Sequence, residues 1–112
     1  MPGRRRLMVA RVQVPKDARR GEVIRIGILI QHPMETGYRL DSANQKVPKN
    51  AIRRFSCRYN GAEIFSAEMS PGIAANPFLQ FATRAAESGT LEFSWVDDEG
   101  QQGSATEPIK VT

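Results

Sequence analysis

The chain has 112 residues, a net charge of +4 and 40% hydrophobic residues, which suits one globular domain. We therefore predict a single domain over residues 1–112 that needs neither a metal nor a disulfide to fold. No apolar run approaches the roughly 18 residues needed to span a bilayer, so no membrane partner is expected. The single cysteine, Cys57, excludes a disulfide within the chain.

Charge is divided unevenly along the chain. Residues 1–58 contain 14 Lys and Arg against 4 Asp and Glu, whereas residues 59–112 contain 2 against 8. A basic half can bind nucleic acid or an acidic protein surface. Aromatic residues that could stack on single-stranded nucleic acid are few, so no nucleic-acid partner is expected.

The chain begins with a short basic segment, Met1–Arg6. The apolar stretch behind it has only four residues before Arg11, which is too short for a secretory signal. We therefore expect residues 1–6 to form a flexible basic end, and we expect no export signal on this chain.

Strand patterns with a period of two recur along the chain, and no helical pattern appears. The first strand is predicted at residues 8–14, from Met8 onward, and residues 16–21 form a polar connection. The second strand, Val23–Gln31, places four isoleucines on one face. It ends at His32 and Pro33, where a loop extends to Asp41.

Two hairpins are predicted in the second half of the chain. Alternation over residues 55–59 and 63–69 flanks Asn60-Gly61, a dipeptide that accepts positive φ at both turn positions. A further strand is predicted at residues 78–85. Another hairpin turns at Asp97–Gly100.

The last strand contains Pro108, which indicates a sheet edge. With it the chain has about seven short strands separated by turn residues. This spacing predicts an all-β fold, an immunoglobulin-like β-sandwich of about seven antiparallel strands.

Few residues offer catalytic chemistry. Cys57 alternates in phase with Phe55 and Tyr59, so we expect a buried thiol with a raised pKa. His32 lacks the further His or Cys ligands of a metal site and is interpreted as a loop residue with one hydrogen-bonded nitrogen. A hairpin turn explains Asp97–Glu99 better than a calcium loop. No catalytic residue, cofactor or metal site is therefore predicted.

Two loops favour recognition of a protein partner instead. The loop His32–Asp41 is longer than a simple connection requires. The loop Ser70–Pro77 contains an apolar Ile-Ala-Ala segment, which either packs on the end of the sandwich or contacts a partner.

Motifs in these segments resemble the SoxZ family of bacterial thiosulfate oxidation, from about Val12 to Val111. Each motif is weak alone, but together they occur in the order and at the spacing of the family. They are Val14-Pro15-Lys16 with Gly21-Glu22-Val23, Ile30-Gln31-His32-Pro33-Met34-Glu35-Thr36-Gly37, Arg54-Phe55-Ser56-Cys57 with Tyr59-Asn60-Gly61, Ala74-Ala75-Asn76-Pro77-Phe78, Glu87-Ser88-Gly89-Thr90 and Trp95-Val96-Asp97-Asp98-Glu99-Gly100.

The resemblance implies an immunoglobulin-like subunit that forms a heterodimer with SoxY, the subunit that carries sulfur intermediates covalently on a C-terminal cysteine. SoxZ-like chains are non-catalytic, meet the other thiosulfate-oxidation enzymes transiently, and reach the periplasm by export together with SoxY. This sequence agrees, since it ends without a cysteine or a Gly-rich arm.

On this basis the two loops are predicted to bind the partner. The candidate residues are His32, Pro33, Met34, Glu35, Gly37, Ile73, Asn76 and Pro77. The alternatives are a generic immunoglobulin-like interaction module and a thiol-redox protein that uses Cys57 with His32 as base.

Overall fold

The computed structural model describes residues 9–69, 73 and 75–112, which form eight β-strands and no helix. None of this part of the chain forms a helix that could cross a membrane. The strands are β1 (Ala10–Gln13), β2 (Asp17–Ala18), β3 (Val23–Ile30), β4 (Ile52–Tyr59), β5 (Ala62–Glu68), β6 (Phe78–Arg84), β7 (Gly89–Asp97) and β8 (Gln102–Val111).

The strands form two sheets. The first has three strands in the order β1-β3-β6, and the second has five in the order β2-β8-β7-β4-β5. Neighbouring strands are antiparallel except for β2 and β8, which are parallel. The predicted all-β, immunoglobulin-like sandwich is confirmed.

The hydrophobic core lies between the two sheets. Four isoleucines at alternate positions of β3, from Ile24 to Ile30, are buried, as the period-two pattern predicts. The five-stranded sheet contributes Phe55 and Phe93, whose ring centroids lie 6.3 Å apart. Phe55 also meets Phe81 of β6 edge to face at 6.3 Å, which joins the two sheets. Burial of each such side chain contributes about 1.5–3 kcal/mol.

The strand count differs from the prediction because of β2. This two-residue strand lies within residues 16–21, which were predicted to be only a connection, and it pairs with Lys110 and Val111 at the other end of the chain. The last strand, β8, was predicted to be an edge strand, but β2 lies outside it in the sheet. Because β2 pairs only with Lys110 and Val111, Pro108 has a strand partner on the β7 side alone within the described residues, and its missing N–H leaves no ladder bond unmade on the other side. The predictions for residues 1–6 and Met8 fall outside the described residues.

The two predicted hairpins are confirmed. Asn60 and Gly61 have φ of 50° and 86°, as the turn between β4 and β5 requires. The turn between β7 and β8 contains Gly100 with φ of 82°. Each hairpin tip lies at an end of the sandwich.

Candidate functional site

His32 lies at one end of the sandwich. It follows β3 and is only 4% exposed. Its Nε2 lies 3.1 Å from Oδ2 of Asp97, which is fully buried at the end of β7. Its Nδ1 accepts the backbone N–H of Met34 at 2.9 Å. Because Nδ1 accepts a hydrogen bond, the ring proton of the neutral imidazole is on Nε2, which donates to Asp97.

Asp97 connects this histidine to the β7–β8 hairpin. Its Oδ1 accepts the backbone N–H groups of Glu99 at 3.0 Å and Gln101 at 2.9 Å, which fixes the turn. The interpretation of Asp97 as a turn residue is therefore confirmed. Its bond to His32 was not predicted: one nitrogen of His32 was expected to be bonded, and both are. The two residues are 65 positions apart, so no local pattern links them.

Asn76 fixes the other loop to His32. The backbone N–H of Asn76 donates to the carbonyl of His32 at 2.7 Å, and its Oδ1 accepts the backbone N–H of His32 at 2.9 Å. Asn76 has φ of 54°, a left-handed conformation that Asn tolerates. The next residue, Pro77, is buried and its carbonyl accepts the N–H of Ile30 at 3.0 Å. The described end of the second loop is therefore bonded to the first loop through Asn76 and His32. Residues 70–72 and 74 of the predicted second loop lie outside the described residues.

Met34 fixes the start of the long loop to β4. It is buried, has φ of 50°, and its Sδ accepts the backbone N–H of Ile52 at 3.3 Å. Asp98 bonds to the segment just before β4. Its Oδ2 accepts the N–H of Ala51 at 3.0 Å and lies 3.1 Å from Nζ of Lys49. The bond from Ala51 and the nearby Lys49 ammonium lower the pKa of the Asp98 carboxyl.

Glu35 organises the outer part of the long loop. Its backbone exchanges two hydrogen bonds with Asn50, at 2.8 and 3.0 Å. Its carboxylate accepts a bidentate pair from Arg39 at 3.0 and 2.7 Å, which lowers the pKa of Glu35. Gly37 has φ of +92°, and a Cβ there would lie 3.2 Å from Cβ of Lys49. A glycine therefore fits this turn where a larger residue would be strained.

The structure buries three of the eight predicted partner-binding residues and leaves the others wholly or partly accessible. The buried residues are His32, Met34 and Pro77, and the accessible ones are Pro33, Glu35, Gly37, Ile73 and Asn76. Ile73 is half-buried against the core. The buried residues shape the end surface. Partner binding by the accessible ones stays a prediction.

Cys57 does not belong to this site. It is fully buried in β4, paired with Phe65 of β5 and Phe93 of β7. Burial raises the pKa of its thiol to about 12, so the prediction of a buried thiol is confirmed. Both nitrogens of His32 are bonded elsewhere, so it is not paired with Cys57 as a base. Among the described residues, no group of three or more His, Cys, Asp and Glu could hold a metal ion.

The opposite end of the sandwich is held by a second polar cluster. The hydroxyl of Tyr59 accepts the N–H of Glu87 at 3.1 Å and donates to its carbonyl at 2.5 Å. Asn60 accepts the N–H of Thr90 at 2.9 Å through Oδ1. A Cβ on Gly89 would lie 1.7 Å from that Oδ1, so a larger residue there would displace the Asn60 side chain from this bond. These motif residues stabilise the fold and present no reactive group.

The comparisons with known proteins agree on the fold. A superoxide reductase (neelaredoxin) from Ignicoccus hospitalis is 16% identical with a TM-score of 0.69, and the match covers 92% of this chain and 80% of that chain. The sulfur carrier protein SoxY from Chlorobium limicola f thiosulfatophilum is 16% identical with a TM-score of 0.64, covering 92% of this chain and 78% of that chain. Such low identity shows a shared fold alone.

The family is established by sequence. No curated protein matches this chain significantly. The family model described as "Sulphur oxidation protein SoxZ", however, matches residues 11–108, which is most of the chain. The chain therefore belongs to the SoxZ family and has a role in sulfur oxidation by the Sox system.

Proposed function

We propose that this chain is the non-catalytic subunit of a heterodimeric sulfur carrier in thiosulfate oxidation. Its SoxY-like partner holds the sulfur intermediate on a C-terminal cysteine, and this chain supports that partner. The observation that carries the proposal is that, in a SoxZ-family member, the single cysteine and the single histidine are both buried, and both ring nitrogens of His32 are hydrogen-bonded within the fold.

Cys57 is unsuited to carrying a cargo. It is the only cysteine in the sequence, so a sulfur intermediate on this chain would have to form there. Its thiol is fully buried between aromatic neighbours, and burial raises its pKa to about 12. A carrier thiol must instead be exposed and present as thiolate, so that successive enzymes reach it.

His32 is a positioning residue in this proposal. Its ring joins Asp97 to the backbone of Met34 inside the end of the sandwich. It could act as a base only by giving up one of these two bonds. Its contribution is to hold the loops that surround it in one conformation, and a rigid end surface lowers the entropic cost of binding a partner.

The proposal also places the complex in the periplasm, with the export signal supplied by the partner. Expression of this chain alone should then leave it in the cytoplasm. Co-expression with a SoxY-like chain that carries its signal should move both into the periplasmic fraction. Retention of this chain in the cytoplasm, while the partner is exported, would contradict co-export.

Co-purification tests the central point. A tagged SoxY-like chain from the same genome should retain this chain at a 1:1 ratio, whereas an equally tagged immunoglobulin-like domain of unrelated function should not. Separate elution of the two folded chains in size-exclusion chromatography would refute the proposal.

A reconstituted thiosulfate-oxidation assay then separates the carrier from the thiol-redox alternative. Cys57→Ala in this chain should leave the rate within about twofold of wild type, since the thiol is a small apolar core group here. Substitution of the partner's carrier cysteine should abolish the reaction. Loss of activity in a folded Cys57→Ala complex would favour the redox alternative instead.

A further inference from the structure

The outer face of the three-stranded sheet carries most of the exposed large apolar residues of the described chain. Phe78 is 50% exposed, Val9 is 50% exposed and Leu29 is 39% exposed, and Val23 lies further along the same sheet. The other exposed large apolar residues of the described chain, Tyr38 and Leu40, are in the loop that follows His32, and none is on the five-stranded sheet. Clustered apolar exposure of this kind marks an interaction site more often than chance.

Leu29 and Phe78 form the centre of an apolar patch on this face, and Val9 lies beside Leu29. Leu29 pairs directly with Phe78 of β6 on one side and with Arg11 of β1 on the other. The ring of Phe78 lies over Gly27, where a Cβ would come within 2.9 Å of Cζ. Glycine weakens the middle of a strand, and this close approach explains its presence. The result is an aromatic ring resting against the centre of the sheet.

The charged residues of the three strands have one sign. The strands β1, β3 and β6 contain Arg11, Arg25 and Arg84 and no Asp or Glu. Arg84 donates to the carbonyl of Gly21, whereas Arg11 and Arg25 form no side-chain hydrogen bond or ion pair within the described residues. Two guanidinium groups are therefore available beside an apolar surface.

The outer face of the five-stranded sheet differs in charge from that of the three-stranded sheet. It sets Arg54 opposite Glu68, and Arg58 opposite both Glu63 and Glu92, so charges of both signs alternate there. That face is balanced and lacks large exposed apolar side chains in the described residues. The two faces of this sandwich are thus different in kind, and only one has the composition of a binding surface.

We infer that this face, the basic apolar face formed by Val9, Arg11, Arg25, Leu29 and Phe78, binds the SoxY-like carrier subunit through an apolar patch ringed by Asp and Glu. The inference rests on the proposed function and names the surface involved. A second copy of this chain is disfavoured as the occupant, because it would bring the arginines of β1 and β3 together, and β1, β3 and β6 contain no Asp or Glu to pair with them.

The face is continuous with the end of the sandwich described above. A groove of about 270 Å³ is lined by Val9, Arg11, Leu29, Gln31 and Asn76. It therefore runs from the apolar patch to the Asn76 side chain that binds the backbone of His32. A partner seated on the face would reach this groove with one side chain, which gives the fixed end loops a place at the border of the interface.

Affinity measurements on the purified carrier subunit test the inference. Phe78→Ala should raise Kd by about 30-fold or more, because it removes a central aromatic anchor of the interface. R11Q/R25Q should raise Kd by about tenfold at low salt, and the ratio of its Kd to that of wild type should shrink near 0.5 M salt. R54Q/R58Q removes the same charge from the other sheet, and its Kd for the carrier subunit should stay within about twofold of the wild-type value. Thermal unfolding of each variant checks that it is folded.

The outcomes separate two failures. If the wild-type chain does not bind the carrier at all, the proposed function fails. If the wild-type chain binds the carrier, and R11Q/R25Q and folded Phe78→Ala bind as tightly as wild type, the inference about this face is wrong. It is also wrong if R54Q/R58Q causes the larger loss, or if sedimentation of the chain alone shows a dimer that Phe78→Ala dissociates. A monomer alone with selective loss in the face variants supports it.

Discussion

The bond between His32 and Asp97 predicts a specific response to Asp97→Asn. The new amide can keep Oδ1 on the turn N–H groups of Glu99 and Gln101, but its NH₂ then meets the Nε2–H of His32. Moving the ring proton to Nδ1 removes that conflict and creates another, since Nδ1 faces the N–H of Met34. Either tautomer leaves two buried donors facing each other.

The magnitude follows from this mismatch. An unsatisfied buried donor costs about 1–3 kcal/mol, so Asp97→Asn should lower the free energy of unfolding by about 2–3 kcal/mol. That is a large share of the roughly 5–15 kcal/mol that stabilises a typical domain. At about 4 °C per kcal/mol, the Tm should fall by roughly 8–12 °C.

The neighbouring Asp98→Asn is the matched control. It loses the attraction to Lys49, whose side chain is half-exposed, but retains an oxygen to accept the N–H of Ala51. Its cost should stay at or below about 1 kcal/mol. Urea unfolding followed by the fluorescence of the buried Trp95 measures both variants. Equal stability of the two variants, or a wild-type His32 ring with its proton on Nδ1 by nitrogen NMR, would refute the reasoning.

Cys57, Gly89 and Asp98 each allow a further test. With a pKa of about 12, Cys57 should react with iodoacetamide at pH 8 at least about a thousandfold more slowly in the folded protein than in urea; comparable rates in both states would contradict its burial. Gly89→Ala should lower the free energy of unfolding in urea by about 1–2 kcal/mol, because its Cβ would displace the Asn60 side chain from its bonds to Ser88 and Thr90. Combining it with Asn60→Gly should cost less than the sum of the two single changes, and strict additivity would argue against the clash. The lowered pKa of Asp98 stabilises the fold above its unfolded value of 3.8, and this contribution is lost as pH falls through the lower folded value. The difference in free energy of unfolding between wild type and Asp98→Asn should therefore decrease from pH 7 to about pH 2.5. An increase over this range would contradict a lowered pKa of Asp98.

Much of the fold is encoded locally and could be predicted. The isoleucines of β3 alternate strictly, and burial on one side of a strand requires that alternation. Asn60-Gly61 favours the positive φ that a two-residue hairpin needs. Strand β2 could not be predicted, because it is a two-residue pairing with the far end of the chain and has no pattern of its own.

The candidate site was predictable only in part, for the same reason. His32 and the turn at Asp97 were each recognised from local sequence, but their hydrogen bond joins positions 65 residues apart. The burial of Met34 and the two bonds between Asn76 and His32 also depend on how the loops meet in space. Likewise the basic apolar face exists only because β1, β3 and β6 become neighbours, although they are separated in sequence.

Intact mass spectrometry of the complex isolated from cells oxidising thiosulfate tests the central claim most directly. This chain, tagged and purified under native conditions, should bring with it one SoxY-like chain that carries a sulfur adduct. Its own mass should remain that of the unmodified 12.5 kDa polypeptide plus the tag. Isolation without a carrier chain, or a sulfur adduct on Cys57, would contradict the proposed role as the non-catalytic partner.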